Sequence, residues 1–319
     1  MGMKTVKQTQ KTVDIIIPIY KPDASFGEVL RKLQAQSVRP QNIWLLQTMT
    51  TSQEALYSAE GSNVHVLPVK KQEFDHGATR KMGADQSNAE FVLFMTQDAM
   101  PADDALIERL LEAFDDDKTG VAYARQLARP QADLLERMTR EYNYPAQDQV
   151  KTAADLERLG IKTFFCSDVC AMYRHSLFDQ LGGFVHPTIF NEDMIMASAV
   201  IHAGYQVVYR AEAKVIHSHA YTCMQQFHRN FDLGVSQRQY REVFEAVSSE
   251  KEGAGYAGRT LKYLLGHGKP CKAFYFAMQC GFKLIGYKLG LHYEKLSDKM
   301  ILWCTSNKEY WNRKEEKHV

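Results

Sequence analysis

The sequence lacks the features that would place the protein inside a membrane, in an oxidising compartment or on a nucleic acid. Its six cysteines form no CxxC pair, and no signal peptide precedes Val13, so we expect reduced thiols in the cytoplasm. No stretch of about 18 apolar residues is free of charge, which argues against a transmembrane helix. The 39 basic residues nearly balance the 38 acidic ones, so the overall charge gives no reason to expect nucleic-acid binding.

Several nucleotide-binding and catalytic motifs are also missing. The chain has no P-loop and no GxSxG elbow. Residues 253–258 match GxGxxG by letters, but they follow a charged segment, whereas the dinucleotide fingerprint requires a preceding strand. We therefore expect a loop there. The missing fingerprint after the first strand argues against a nicotinamide-dependent oxidoreductase.

The chain does have an ordinary globular composition over its 319 residues, with 45% hydrophobic and 24% charged residues. Apolar runs alternate with segments of helical spacing in its first part, which predicts a parallel sheet with helical crossovers. The predicted strands are residues 13–20, 43–46, 64–69 and 91–95, and the predicted helices are residues 26–36, 78–86 and 101–114.

The pattern becomes irregular after residue 121. The predicted elements there are helices at 137–144 and 192–202, strand-like residues at 162–173, short strands at 207–209 and 214–217, and helices from about residue 222 to the end. Residues 274–291 mix aromatic and aliphatic side chains with Lys283 and Lys288. These lysines argue against a bilayer-spanning helix. They leave two alternatives, a basic amphipathic segment on a membrane surface or a helical hairpin packed on the rest of the protein.

A carboxylate stands where the fourth predicted strand leaves the sheet. Asp98 follows the apolar residues 91–95, and in open α/β sheets ligands bind at the carboxyl ends of strands. A divalent cation that bridges two phosphates needs only one or two protein oxygens, so Asp98 would suffice. The alternative is a helix N-cap, because Pro101 and a helical run follow.

Two further groups of polar residues allow both a functional and a structural interpretation. Glu192 and Asp193 precede a predicted helix, where one carboxylate could serve as a general base or both could stabilise the helix start. His217 and His219 follow a predicted strand and share one face of it. Both could approach one metal, one could do so while the other contacts phosphate, or they could form an ordinary surface pair. A zinc hydrolase would need a further ligand at a telling spacing.

A polar segment joins the third predicted strand to the next helix. Asp75 or His76 could cap that helix, and Arg80 and Lys81 could face a diphosphate. The alternative is a solvated helix start without a ligand.

In their order along the chain, these features resemble family 2 glycosyltransferases. The resemblance covers residues 13–240 and includes the first strand, Asp98, a Gly-Gly-Phe turn at 182–184, and the acidic pair. A single Asp98 stands where the general family has Asp-x-Asp, and this matches the bacterial rhamnosyltransferase-like branch. Short motifs that resemble this branch are Phe74-Asp75-His76-Gly77-Ala78-Thr79-Arg80, Thr96-Gln97-Asp98-Ala99, Arg125-Gln126, Asn143-Tyr144-Pro145 and His217-Ser218-His219.

The resemblance implies an α/β fold of the GT-A type (Rossmann-like), with a mostly parallel sheet flanked by helices and a C-terminal helical extension. We expect a flexible tail at residues 1–12, a glycosyltransferase domain at 13–245, and a helical, basic and aromatic region at 246–319.

The resemblance also implies roles for individual residues. Asp193 would be the catalytic base, with Glu192 beside it. Asp98 and His217 would bind a divalent cation, Mn²⁺ or Mg²⁺, with His219 as the alternative ligand to His217. The implied contacts with the nucleotide-sugar donor are Pro18, Tyr20, Thr48, Asp75, Arg80, Gln97 and Asp98.

The implied reaction is an inverting, metal-dependent transfer of a sugar to a hydroxyl group. We expect L-rhamnose from dTDP-rhamnose, with UDP or GDP sugars as alternatives, and a bacterial surface polysaccharide or its lipid-linked precursor as the acceptor. The enzyme would work in the cytoplasm, with its C-terminal helices at the inner face of the plasma membrane. The alternative from another class is a non-catalytic protein that binds nucleotide sugars or glycans on the same fold.

Overall fold

The computed structural model describes residues 11–245 and 250–316. The predicted tail, residues 1–12, therefore lies almost entirely outside the described residues, and so does the start of the predicted C-terminal region, residues 246–249. At Thr12 the chain has already joined the sheet, because its carbonyl accepts a hydrogen bond from the Phe91 N–H at 3.0 Å.

One mixed sheet organises the described residues. Its strands are β1 (Val13–Ile19), β2 (Asn42–Met49), β3 (Val64–Lys70), β4 (Phe91–Met95), β5 (Met100–Pro101), β6 (Thr119–Leu127), β7 (Gln149–Lys151), β8 (Cys170–Arg174) and β9 (Gln206–Ile216). They lie in the order β3-β2-β1-β4-β8-β6-β9-β5, with β7 paired to β9. The strands β1 to β4 run parallel, as predicted, whereas β8 lies antiparallel between β4 and β6.

Helices cover the sheet and form the C-terminal part. They are α1 (Phe26–Gln34), α2 (His76–Ala84), α3 (Leu106–Leu111), α4 (Leu134–Asn143), α5 (Leu156–Leu159), α6 (His175–Gln180), α7 (Glu192–His202), α8 (Cys223–Gln239), α9 (Arg241–Phe244), α10 (Glu250–Gly266), α11 (Pro270–Leu291), α12 (Asp298–Cys304) and α13 (Lys308–Glu316). The helix α1 is an example of how helical spacing of apolar residues predicts a helix. Its residues Phe26, Val29, Leu30 and Leu33 recur at that spacing, and all four are buried.

The central strands are buried on both faces. Ile15 and Ile17 in β1 belong to one hydrophobic cluster, and Ile16 between them belongs to another. Alternate residues of a strand point to opposite faces, so these clusters are the two layers on either side of the sheet. Water and ligands therefore reach this part of the protein at the strand ends.

Three predicted elements differ from the structure. The predicted helix 101–114 starts with the short strand β5, and its helical part is α3 continued by a 3₁₀ turn at Glu112–Asp115. The strand-like residues 162–173 begin in a 3₁₀ turn at Gly160–Phe164, and the strand starts only at Cys170. The two short late strands are one continuous strand, β9, which shifts its register against β6 midway and so keeps pairing.

The predicted loop at residues 253–258 is wrong, because these residues lie inside α10. Tyr256 stacks on Tyr142 of α4 with ring centroids 4.4 Å apart, and Leu264 further along α10 is fully buried. Packing of this helix outweighs the low helix propensity of its glycines. The described residues directly before this segment, from Glu250 on, belong to the same helix, so the rejection of a dinucleotide fingerprint stands.

The helices α8 and α11 pack at very close range. A Cβ added to Gly290 of α11 would run into the carbonyl of Phe231 on α8, and one added to Gly286 would run into that of Phe227. Residues without side chains therefore let the two backbones touch. This packing agrees with the helical-hairpin alternative. No helix among the described residues is both long and apolar enough to cross a bilayer.

Candidate active site

Three side chains converge at one edge of the sheet. The Asp98 Oδ2 atom lies 3.0 Å from Nε2 of His219 and 3.4 Å from Nε2 of His217, and the two Nε2 atoms are 2.8 Å apart. All three potential ligand atoms lie within 4.8 Å of one another. The cluster unites the residues for which the resemblance implies metal binding.

Strand pairing brings these residues together from distant parts of the sequence. Met100 of β5 pairs with Ile216 of β9. The backbone N–H of His217 donates to the carbonyl of Leu127, the last residue of β6, at 2.9 Å. Asp98 comes two residues before Met100 and His217 one residue after Ile216, so both lie beyond the same end of this pairing.

A polar neighbour fixes the ring of His217. Its Nδ1 atom lies 2.9 Å from the amide oxygen of Gln126. This oxygen only accepts, so Nδ1 donates to it, and Nε2 is the ring nitrogen that faces Asp98. Arg140 donates to the same oxygen. His219 is held through its backbone N–H, which donates to Glu136 Oε1 at 3.0 Å.

The donor set fits a divalent cation, and the helix-cap alternative for Asp98 is wrong. The helix α3 begins at Leu106 and has Ala105 as its N-cap. Although burial opposes ionisation, hydrogen bonds with His217 and His219 hold the pKa of Asp98 well below its ordinary value. Burial lowers the pKa of His217, which favours its neutral form. One carboxylate and two imidazoles are ordinary ligands of divalent transition metals.

Open space adjoins this cluster. A cavity of about 580 Å³ is lined by Asp98 together with Asp23, Ser25 and Arg129. A metal-bound ligand could therefore extend from Asp98 without displacing the core.

A second charged cluster lies at the start of α7. The buried guanidinium of Arg80 on α2 donates to Glu192 Oε1 at 3.0 Å, and its Nε lies 3.8 Å from Asp168 Oδ2. Asp193 accepts hydrogen bonds from the backbone N–H groups of Met194 at 2.7 Å and Asp168 at 3.4 Å. The arginine thus neutralises Glu192, whereas no ion pair joins Asp193 to a basic side chain in the described part of the chain.

The carboxyls of this cluster differ in their proton affinities. Burial, together with the nearby charge of Glu192, raises the pKa of Asp193 to about 7. Burial also raises the pKa of Asp168 well above its ordinary value, although Arg80 opposes this effect. Tyr173 donates to Asp168 Oδ1 at 2.8 Å. A carboxylate with a pKa near neutrality takes up and releases a proton around pH 7, as a general base must.

The turn before this acidic pair has an uncommon backbone conformation. Asn191 has a φ of 66° and a ψ of 17°, in the left-handed region. Its side-chain amide donates to Ser236 Oγ on α8 at 3.2 Å, and Ser236 donates to the Phe190 carbonyl at 2.7 Å. The helix α8 therefore fixes the turn that presents Glu192 and Asp193, and such strain persists only where surrounding contacts determine it.

A larger cavity, of about 700 Å³, opens at the ends of β1, β2 and β4, and we call it the strand-end cleft. Residues 306–309 from the far end of the chain also line it. Five of the predicted donor contacts are among its lining residues: Pro18, Tyr20, Thr48, Arg80 and Gln97.

Two predicted donor contacts have clear structural partners. Gln97 accepts from the Tyr20 N–H at 2.8 Å and donates to the Tyr20 carbonyl at 3.2 Å, so its amide shapes the cleft through Tyr20. Asp75 is buried as the N-cap of α2, accepting from the N–H groups of Gly77 at 3.0 Å and Ala78 at 2.9 Å. Its other oxygen accepts from the Thr188 N–H at 3.0 Å. The structure assigns Asp75 to helix capping, the alternative that the sequence left open.

Comparisons with known proteins identify the family. The sequence model of Glycosyl transferase family 2 matches residues 14–182, more than half of the chain. The chain belongs to glycosyltransferase family 2. The O-antigen chain rhamnosyltransferase RfbN of Salmonella typhimurium is 33% identical over 306 residues, which cover 94% of this chain and 96% of RfbN. The O-antigen chain rhamnosyltransferase WbaN of Salmonella anatum is 33% identical over 305 residues, covering 93% and 95%. The predicted likeness to the rhamnosyltransferase branch is confirmed.

Solved structures share the fold of this glycosyltransferase. The mannosyltransferase PcManGT of Pyrobaculum calidifontis, in complex with GDP-Man and Mn²⁺, matches with a TM-score of 0.60 and 14% identity over 90% of this chain and 89% of that one. Residues 1–349 of TarS from S. aureus match with a TM-score of 0.50 and 12% identity over 88% and 91%. At these identities the likeness concerns the fold, and it confirms the predicted GT-A type.

The glycosyltransferase has supporting residues that the sequence did not single out by role. Gln126 belongs to one of the short branch motifs, yet nothing in the motif shows that it orients His217. Glu136 and Asp168 carry no sequence signal at all. They become visible only when the fold brings them to His219 and Asp193.

Proposed function

We propose that this glycosyltransferase transfers L-rhamnose from dTDP-rhamnose to a hydroxyl group of a bacterial O-antigen or its lipid-linked precursor. Two relatives named as O-antigen chain rhamnosyltransferases support this substrate class, because their 33% identity extends along nearly the whole chain. The observation that carries the chemistry is the convergence of Asp98, His217 and His219 next to open space.

Asp98, His217 and His219 would hold a divalent cation. Mn²⁺ suits this set better than Mg²⁺, because Mg²⁺ prefers oxygen ligands and two of the three donors are imidazole nitrogens. When bound, the cation would neutralise the negative charge of the leaving nucleoside diphosphate. The mannosyltransferase with the matching fold was solved with Mn²⁺. We base the proposal of Mn²⁺ on the ligand types of Asp98, His217 and His219 and not on that structure.

Asp193 is the proposed general base. Its carboxylate would take the proton of the acceptor hydroxyl as that oxygen attacks the anomeric carbon, and the bond from that carbon to the diphosphate would break with inversion. The pKa of about 7 suits this role. Glu192 pairs with Arg80 instead, so we assign it to keeping the acidic cluster in place.

The strand-end cleft would hold the nucleotide of the donor. Pro18, Tyr20 and Thr48 line it at the carboxyl ends of two parallel strands, which is where open α/β sheets bind ligands. Comparing the binding of dTDP, UDP and GDP would show which base the cleft accepts.

A thermal-shift screen of the full chain tests the proposal. We expect dTDP to raise the unfolding temperature more than UDP or GDP, and to do so mainly with Mn²⁺ present. A ligand at a hundred times its Kd stabilises the folded state by about 2.7 kcal/mol, which such a screen detects. Release of dTDP from dTDP-rhamnose in the presence of lipid-linked acceptor would then establish transfer. No shift with any nucleoside diphosphate would contradict the proposal, and a larger shift with GDP would contradict the donor.

The C-terminal helices also support a place at the cytoplasmic face of the plasma membrane. Residues 253–293 contain no acidic residue but six basic ones, Arg259, Lys262, Lys269, Lys272, Lys283 and Lys288. Large apolar side chains are exposed around the turn from α10 to α11, among them Leu265 at 60% and Phe274 at 73%. Apolar side chains flanked by lysines suit a surface of anionic lipid, to which each basic residue adds about 1 kcal/mol.

Sedimentation with lipid vesicles tests this membrane proposal. The full chain should bind anionic vesicles and not neutral ones. Phe274→Ser combined with Lys272→Gln should reduce binding, whereas Lys118→Gln, at an exposed position directly before β6, should not. Equal binding of the three proteins, or no binding to anionic vesicles, would rule it out.

A further inference from the structure

The strand-end cleft combines two parts of the chain that are far apart in sequence. Pro18, Tyr20 and Thr48 come from the first two strands, whereas residues 306–309 come from the start of α13 and the turn before it. The family model ends at residue 182. Part of this cleft is therefore built by residues outside the region that defines the family.

The turn before α13 is anchored firmly. Asp232 on α8, only 1% exposed, accepts from Thr305 Oγ1 at 2.6 Å and from the Ser306 N–H at 2.9 Å. Just after the turn, Tyr310 is buried, and its hydroxyl donates to Gln239 Oε1 on α8 at 3.0 Å. Contacts with α8 thus hold residues 306–309 at both ends of this segment.

An ion pair joins this segment to the opposite part of the chain. Lys71, just after β3, lies 3.2 Å from Glu309 Oε1. Both residues line the cleft, so this contact links its N-terminal and C-terminal parts directly. The charge of Lys71 partly compensates that of Glu309.

Lys308 is left as a cation at the cleft. It is exposed and lines the cavity, and it forms no ion pair within the described ranges. A lysine at a cavity that accepts an anionic ligand supplies a mobile positive charge for phosphate oxygens. A nucleotide sugar carries its negative charge on the diphosphate.

We infer that residues 306–309 form part of the donor site and that Lys308 binds the diphosphate of the nucleotide sugar. This inference rests on the proposed function, which places the nucleotide in the strand-end cleft. Lys308 acts in binding and takes no part in proton transfer. The C-terminal segment thereby contributes to donor affinity.

The experiment measures the binding of dTDP and of thymidine to the full chain with Mn²⁺, by calorimetry and by competition. Lys308→Gln should raise the Kd for dTDP about fivefold, since a solvent-exposed ion pair contributes up to about 1 kcal/mol. The Kd for thymidine, which has no phosphate, should not change. Lys308→Glu should weaken dTDP binding further. Lys299→Gln on α12, exposed and outside the cleft lining, is the matched control.

The outcomes separate this inference from the proposed function. If the unaltered protein binds no nucleoside diphosphate, both fail. If it binds dTDP and Lys308→Gln binds it as well as Lys299→Gln does, only the inference fails. If Lys308→Gln weakens thymidine and dTDP equally, Lys308 shapes the cleft and does not bind phosphate, which also overturns the inference.

Discussion

Replacing Asp193 with asparagine should lower activity and raise stability at the same time. Burial and the charge of Glu192 raise the pKa of Asp193 from 3.8 to about 7. Each pKa unit corresponds to about 1.4 kcal/mol, so ionised Asp193 destabilises the folded state by at most roughly 4 kcal/mol. The side chain is partly open to water, and asparagine has one acceptor oxygen where Asp193 uses two, so one of the backbone hydrogen bonds from Met194 and Asp168 is lost. We therefore expect a net gain of about 1–2 kcal/mol in the unfolding free energy.

The sign follows from proton linkage. The folded protein holds the Asp193 proton more tightly than the unfolded chain does, so stability falls as the pH rises from about 4 through about 7 and then levels off. Asp193→Asn has no such proton to lose. Its advantage over the unaltered protein should therefore grow between about pH 5 and about pH 8, as urea unfolding would show. Asp117→Asn, at an exposed carboxylate, is the control and should show no such growth.

Turnover provides the second readout of Asp193→Asn. Loss of the base should reduce it by about 10²–10⁴-fold while dTDP binding with Mn²⁺ survives. Unchanged turnover would refute the assignment of the base. If Asp193→Asn were destabilised by the same amount at about pH 5 and about pH 8, the argument from the raised pKa of Asp193 would be refuted.

Three further predictions concern the metal cluster and the helix packing. Asp98→Asn should abolish the dependence of dTDP binding on Mn²⁺, and calorimetry with and without the ion would contradict the site if that dependence persisted. Gln126→Ala frees the His217 ring and should weaken Mn²⁺ binding by about 10–100-fold in a metal titration, without unfolding the protein. Gly290→Ala should lower the unfolding free energy in urea by about 1–3 kcal/mol, because its Cβ meets the carbonyl of Phe231 on α8. Gly281→Ala, on the same helix with open space around it, should instead be neutral or stabilising.

The sequence predicts the first half of the fold well because local patterns determine it. The strand β1 is a continuous apolar run, and α1 repeats its apolar residues at helical spacing, so both can be found without tertiary information. The segment at residues 253–258 shows the opposite case. Its glycines favour a loop, but the packing of Tyr256 on Tyr142 and the burial of Leu264 further along stabilise the helix. Local sequence patterns do not predict the secondary structure of a segment whose conformation depends on packing against residues far away in the sequence.

The same distinction applies to the site. Asp98 and His217 can be predicted because each follows an apolar strand, and strand ends meet at a sheet edge. Gln126 cannot, since its role depends on the rotation of the His217 ring. The sequence also gives no hint that Arg80 pairs with Glu192, because this contact joins two helices that are far apart along the chain.

The C-terminal helices are part of the scaffold of the site. On α8, Ser236 fixes the turn before the acidic pair, and Asp232 fixes the segment that lines the strand-end cleft. The apolar face of α8 carries Phe231 and Val235, both fully buried in a cluster that Trp311 and other C-terminal residues complete. Removing the helices beyond residue 245 would expose this face to water and loosen α8. Residues on both sides of the predicted boundary at 245 therefore contact each other, and the site depends on these contacts.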